Sequence, residues 1–417
     1  MKNSVILHID FDSYFVSALR TIRPELKNKP VVCAKTKSNS IILSMSYELK
    51  KYGIKAGALV SDLRKLEPNL IVAPPIYELF STLSKNIFGY FFKNVTQRFE
   101  AASIDECYLD ISDLVPNLES GLTYARNLQN LILQEFDIPI SIGVASNKFL
   151  AKMTTNLVKP FNVGLADETN YQTLFYDLPI SKFHGIGRRS LPKLEAIGIY
   201  QIKDLVSKSP LDLNLRNIFG RNTAQYLELI NPKRQERIAL AQKEDPKGIG
   251  KEITFELEEL NQINIDRIIK EIIDELVIRL KSKNLATNNL TLVVRNLNKK
   301  WISKNKKLPE FTQDPHLFYI YAKQLFNDNF DEYNIRGLGI RFSNLENINT
   351  IFKPISLLED EKLQYQKISE VDRLIAKVNH KIGKNSTMTL NQYQSNKRKN
   401  SENQTFEIDG IAFQFKK

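Results

Sequence analysis

Three acids could do chemistry together. Asp10 follows the apolar run Ser-Val-Ile-Leu-His-Ile at residues 4–9, and Asp105-Glu106 form an adjacent pair inside Ser103-Ile104-Asp105-Glu106-Cys107-Tyr108-Leu109-Asp110. Adjacent acids are usually solvated surface groups. This pair, however, abuts a strand-like run of buried-type residues, where an unpaired charge is costly and a bound cation would offset the cost. Carboxylate oxygens suit Mg²⁺ or Mn²⁺, and two such ions about 3.5 to 4 Å apart can stabilise both the attacking and the leaving oxygen of an in-line phosphoryl displacement. Successive strand residues face opposite ways, so both acids reach one site only from a hairpin bend or a strand start. Asp12 reads as a helix N-cap, with a fourth acid as the other reading.

The elements that must position these acids follow from periodicity. The run 4–9 is a buried strand with Asp10 at its end, and Asp12 and Ser13 are candidate caps for a helix carrying Phe15, Ala18 and Leu19. Further strands are expected over 99–102, 107–111 and 140–144, with a helix over 122–134, so this part is mixed α and β. Around Gly185 the pattern turns to helices with short Gly-containing turns, ending near Asn231, and a charged stretch at 233–247 reads as a linker. Beyond it come a strand over 251–257 and a helix carrying Ile265, Ile268, Ile269, Ile272, Ile273, Leu276, Val277 and Leu280. A strand over 290–297, a basic ribbon around Trp301, a helix over 316–326 and a strand over 337–342 follow, in β-α-β-β-α-β order. The tail offers one helix over 363–378 and a polar tract at 384–404 that reads as mobile.

Composition narrows the partner. A formal net charge of +12 on 417 residues, 42% hydrophobic and 25% charged, fits a globular protein of several domains with a polyanionic partner, nucleic acid or an acidic membrane surface. From Arg279 to Lys307 the basic residues include Arg295, Lys299, Lys300, Lys304, Lys306 and Lys307, with no acid among them. Phosphate contacts explain such a stretch and imply strong salt dependence. No run approaches the length of a membrane span and the start lacks a signal-peptide pattern, so a cytoplasmic location is expected. Cys33 and Cys107 read as small hydrophobes.

The motifs together resemble the Y-family DNA polymerases, the DinB/UmuC group that copies damaged DNA. The resemblance rests on residues 8–15 (His-Ile-Asp-Phe-Asp-Ser-Tyr-Phe), Ser44-Met45-Ser46-Tyr47-Glu48 with Gly53-Ile54-Lys55-Ala56-Gly57, residues 103–110, residues 141–152, Lys159-Pro160 and Gly185-Ile186-Gly187, in the family's order. It implies an α+β multidomain right-hand polymerase. A mixed α/β palm would occupy 1–18 and 78–166, small fingers 19–77, and a helical helix-hairpin-helix thumb 167–232. The linker 233–247 would lead to a βαββαβ little finger at 248–345 and a partly disordered tail at 346–417.

It also implies roles. Asp10, Asp105 and Glu106, with the Phe11 backbone carbonyl, would hold two Mg²⁺ ions, with Mn²⁺ as the alternative. Phe15 would be the steric gate against ribose, the other reading being a core Phe. Ser44, Tyr47, Lys50 and Lys159 would bind the dNTP, with Lys50 standing where many members carry Arg. Ile41 and Leu43 fall where the family roofs the nascent base pair, or are strand core. Gly185, Gly187, Arg188, Arg189, Arg295, Lys299, Lys300 and Arg341 would contact primer-template DNA. Residues 354–358 faintly resemble a sliding-clamp peptide, and an ordinary linker is the equal alternative.

The function implied is low-fidelity translesion synthesis; no extra acidic cluster suggests a proofreading exonuclease. Two other classes stay open on sequence. A palm-domain nucleotide cyclase leaves the Gly-Ile-Gly hairpin and the basic domain unexplained, and product analysis without DNA would decide it. A catalytically silent DNA-binding scaffold would bind DNA without Mg²⁺-dependent synthesis.

Overall fold

The computed structural model describes residues 4–36, 40–240, 246–255, 264–331 and 335–351. The helix expected over 363–378, the tract 384–404 and the 354–358 segment lie outside the described residues. Two compact units part between Lys243 and Glu244. The strands of the first are β1 (Ile6–Phe11), β2 (Val31–Cys33), β3 (Ser44–Met45), β4 (Ile71–Ala73), β5 (Phe99–Ala101), β6 (Glu106–Asp110), β7 (Ile140–Ala145) and β8 (Val163–Leu165). Those of the second are β9 (Gly248–Thr254), β10 (Leu285–Asn296), β11 (Trp301–Thr312) and β12 (Ile335–Asn347).

In the first unit β5-β6-β1-β7-β8 form one sheet with β1 at its centre, antiparallel to β6 and β7. Both faces are covered, which is why β1 reads as a continuous apolar run rather than an alternation. Leu7, Ile9 and Phe11 share a core with Phe88 of helix Tyr77–Asn94 and Ile132 of helix Leu118–Phe136. The opposite face, with His8, meets helix Lys148–Val158 through Thr155. Closest approach is at Gly143 on β7, where an added Cβ would lie 2.0 Å from the Ala151 carbonyl oxygen. No side chain fits there.

A small sheet, β3-β2-β4, packs its own core of Val32, Leu49 and Leu63. After β8 come short helices Leu191–Glu195, Ile202–Val206, Leu213–Phe219 and Thr223–Glu228, with Pro192 in the first turn of its helix, where its missing N–H costs nothing. The segment read as a linker from 233 begins anchored to this unit. Arg237 Nε donates to Asp110 Oδ2 at 2.7 Å, Ser4 N donates to Gln235 Oε1 at 2.6 Å, and Ile238 is buried.

The second unit follows the strand-helix-strand-strand-helix-strand order, its sheet running β11-β10-β12-β9, antiparallel throughout. Helices Ile265–Ser282 and Pro315–Asn329 share one core with the sheet residues Leu290, Leu292, Ile340 and Phe342. The basic ribbon is itself the edge strand β11, exposed along nearly all its length. This is the fourth element of the expected β-α-β-β-α-β order, and its charge on both sides is that of an edge strand. No helix among the described residues is long and apolar enough to cross a membrane.

Candidate active site

Asp10 on β1 stands in register opposite Glu106 on β6. Asp10 lies at the end of the strand, as the sequence suggested, with one further residue, Phe11, whose N–H donates to the Asp105 carbonyl at 2.8 Å. Asp105 immediately precedes β6 and Glu106 opens it, the strand-start placement that adjacent acids need to share a site. The three acids thus gather at one end of two central strands.

Each acid has a different partner. Lys159 Nζ lies 2.5 Å from Asp10 Oδ2, Lys152 Nζ lies 2.6 Å from Glu106 Oε2, and Ser103 Oγ donates to Asp105 Oδ1 at 2.5 Å. Each acid is turned to its own lysine or serine, so the three do not form a ready-made metal cluster among the described residues. Burial pushes the Asp10 carboxyl up to about 8 against the pull of Lys159, and burial raises Asp105 as well. Burial also opposes ionisation of Glu106, yet hydrogen bonding to His8 and the Lys152 charge outweigh it and hold that carboxyl below the usual range. A set of oxygen donors, two of them burdened by charge that burial leaves poorly compensated, fits a divalent cation.

Lys152 closes the 141–152 motif. The sequence signal was only a lysine between the apolar Ala151 and Met153; in the helix Lys152 is 8% exposed. Burial lowers His8 to about 4, so its ring is neutral; Nδ1 lies 2.9 Å from Thr155 Oγ1 and Nε2 lies 3.4 Å from Lys152 Nζ. The imidazole holds the lysine on Glu106.

Beside the acids lies a cationic corner. Tyr47 opens helix Tyr47–Lys50, two residues after β3, which Ser44 begins. Lys50 Nζ sits 3.3 Å from the centroid of the Tyr47 ring. Burial lowers the Lys50 ammonium pKa, and the Lys159 charge lowers it further. An anion there would relieve them.

Asp12 corrects the sequence reading. Its carboxylate does not cap a helix but accepts from Tyr47 Oη, Ser141 Oγ and the Phe161 N–H. Three donors from other elements satisfy it better than one helix N–H could. Ser13 takes the N-cap position in a left-handed conformation, φ 46°, with no capping hydrogen bond from its side chain.

Phe15 is partly buried while its neighbours Tyr14 and Val16 are buried. Its ring stacks on Phe80, centroids 4.3 Å apart and planes within 7°, with Tyr77 edge-on at 6.5 Å. The ring is fixed by these contacts and packs against the large core while remaining partly exposed. Ile41 is 52% exposed, outside any core, whereas Leu43 packs against the large core and Ile42 between them is buried.

At the hairpin, Gly185 adopts φ 95°. Among the described residues, Gly185, Gly187, Arg188 and Arg189 donate no backbone hydrogen bond to the protein, and both arginines are exposed. In the second unit, register splits the basic residues between two faces. Arg295, Trp301, Lys307 and Arg341 alternate with the core-facing positions on the face away from the helices, whereas Lys306 lies 5.9 Å from the Tyr321 ring on the helix side. Lys299, with φ 63°, and Lys300 form the exposed β10–β11 turn. Arg341 is not a free cation, because its Nε donates to Glu252 Oε1 at 2.7 Å.

The chain is similar to known proteins along most of its length. Residues 9–156 match the family model described as the impB/mucB/samB family, 169–199 the IMS family HHH motif, and 246–352 the impB/mucB/samB family C-terminal domain. A protein of Ureaplasma parvum serovar 3 named DNA polymerase IV is 31% identical over 369 residues, 86% of this chain and 100% of its own. The DNA polymerase IV of Oceanobacillus iheyensis is 29% identical over 405 residues, 97% of this chain and 94% of its own. Among solved structures, a Y-family DNA polymerase chimera of Dbh and Dpo4 aligns at a TM-score of 0.70 and 26% identity, covering 82% of this chain and 98% of that one. An insertion ternary complex of Dbh DNA polymerase aligns at 0.59 and 26%, with the same coverage.

Proposed function

Since the chain belongs to the Y-family DNA polymerases of the DinB type and is a DNA-directed DNA polymerase, we propose that it carries out low-fidelity translesion synthesis by two-metal nucleotidyl transfer. The primer 3′-oxygen attacks the α-phosphorus of a dNTP, the bond from that phosphorus to the bridging oxygen breaks, and pyrophosphate leaves. The observation carrying this reading is the meeting of Asp10, Asp105 and Glu106 at one strand end with Tyr47, Lys50 and Lys159 beside them.

Asp10, Asp105, Glu106 and the Phe11 carbonyl would hold the divalent ions, Mg²⁺ or Mn²⁺. Bound there, such ions would supply Lewis-acid stabilisation of the attacking and leaving oxygens. The chain's own residues do the rest. Ser44, Tyr47, Lys50 and Lys159 bind the triphosphate, and Lys152 with His8 keeps Glu106 ionised and fixed in direction. Phe15, immobilised on Phe80, closes the space a ribose 2′-hydroxyl would need. Gly185, Gly187, Arg188 and Arg189 offer free amides and charge to a DNA phosphate, and Arg295, Lys299, Lys300 and Arg341 offer a basic surface to duplex backbone without reading bases. Primer extension on plain and lesion-bearing templates tests the proposal. Full-length product past a lesion supports it, whereas synthesis that always stops there removes the translesion assignment.

A further inference from the structure

Asp12 is 2% exposed, and its carboxylate joins three segments that are far apart in sequence. Ser141 Oγ of β7 lies 2.8 Å from Oδ2, the Phe161 N–H donates to Oδ2 at 2.7 Å, and Tyr47 Oη donates to Oδ1 at 3.0 Å. An ionised carboxylate offers about four lone-pair sites. Three are taken here by neutral donors from three separate segments. Two of its partners lie on the two segments that flank the cationic corner. Tyr47 opens the helix carrying Lys50, and Phe161 follows Lys159 by two residues, with Lys159 reaching across to Asp10.

We propose that Asp12 is a positioning residue that locks the Tyr47 segment and the Lys159 segment into one preformed triphosphate site. This rests on the reading of Tyr47 and Lys159 as triphosphate contacts. Ser141 anchors the carboxylate to the central sheet. The carboxylate in turn fixes the phenol from one side and the backbone beside Lys159 from the other. Without it both segments must be ordered by the incoming nucleotide, which weakens binding more than it slows the chemical step.

Single-nucleotide incorporation kinetics test the idea, with Asp12→Asn, Tyr47→Phe, their double variant, Ser141→Ala and Lys159→Ala, each checked by a melting curve. Asp12→Asn is expected to raise the dNTP KM about tenfold, the scale of one charge-assisted hydrogen bond, with a smaller fall in kcat. The double variant should fall short of the product of the single effects, because part of the loss on Asp12→Asn is the loss of Tyr47. Ser141→Ala should shift KM the same way by less. Should Asp12→Asn fail to fold, the Ser141→Ala and Tyr47→Phe cycle is expected to show the same shortfall. An unchanged KM for Asp12→Asn, or fully multiplicative effects, overturns the proposal. If Tyr47→Phe and Lys159→Ala also leave KM unchanged, the triphosphate reading falls with it. If they raise KM and Asp12→Asn does not, only the positioning role is lost.

Discussion

Asp10 and Glu106 face each other in register across β1 and β6, and a lysine meets each one. The two pairs are not equivalent. Lys152 is buried, held by His8, and belongs to the helix beneath the sheet, while Lys159 is 24% exposed at that helix's end. Lys152 is therefore a fixed part of the site, and Lys159 has room to exchange Asp10 for another anion.

Lys152→Ala leaves the Glu106 charge without its buried partner. Breaking such a pair costs about 2 to 3 kcal/mol after allowing for the partial exposure of Glu106. Urea unfolding should show that loss; a midpoint equal to the parent's would mean the pair contributes nothing.

Gly143→Ala places a Cβ against the Ala151 carbonyl and the Thr155 amide of helix Lys148–Val158. Neither is a flexible side-chain end, so the helix must move off the sheet. Overpacking of this kind should lower stability by about 3 kcal/mol or more. Thermal melting checks it, and an unchanged midpoint would contradict the close approach.

Phe15→Ala opens the space beside the stacked Phe80 ring. The ratio of ribonucleotide to deoxynucleotide incorporation should rise about tenfold or more, in line with what one side chain's shape can discriminate. Parent-like selectivity would return Phe15 to the role of an ordinary packed ring.

The Lys299→Ala/Lys300→Ala double variant should weaken DNA binding uniformly across sequences and reduce the slope of log affinity against log salt by about 2. Arg341→Ala should change that slope less, because Glu252 already compensates the charge. Equal slopes for all three proteins would remove the β10–β11 turn from the interface.

Much of this was legible in sequence for physical reasons. The helix from Ile265 declared itself because one face is apolar at 3.6-residue spacing, and β1 because both its faces are buried. The Asp105-Glu106 pair was legible because acids next to Cys107 and Leu109 need a reason. What escaped depended on tertiary partners. Asp12 looked like a cap because nothing local reveals Ser141 or Phe161. Lys152 looked like any helical lysine until β1 placed His8 and β6 placed Glu106 against it. Arg341 looked free because Glu252 is 89 residues away in the chain. The ribbon β11 was legible as a strand only from its place in the β-α-β-β-α-β order, because its exposed edge carries charge where a period-2 signal would need apolar residues.

The most direct test is primer extension with Mg²⁺ and dNTPs by the parent, Asp105→Ala and Glu106→Ala proteins, with and without EDTA, alongside a DNA-binding measurement. Templated extension by the parent, abolished by either substitution and by EDTA while DNA binding survives, is the predicted result. Undiminished extension by both variants would contradict the assignment of these acids as the centre of catalysis.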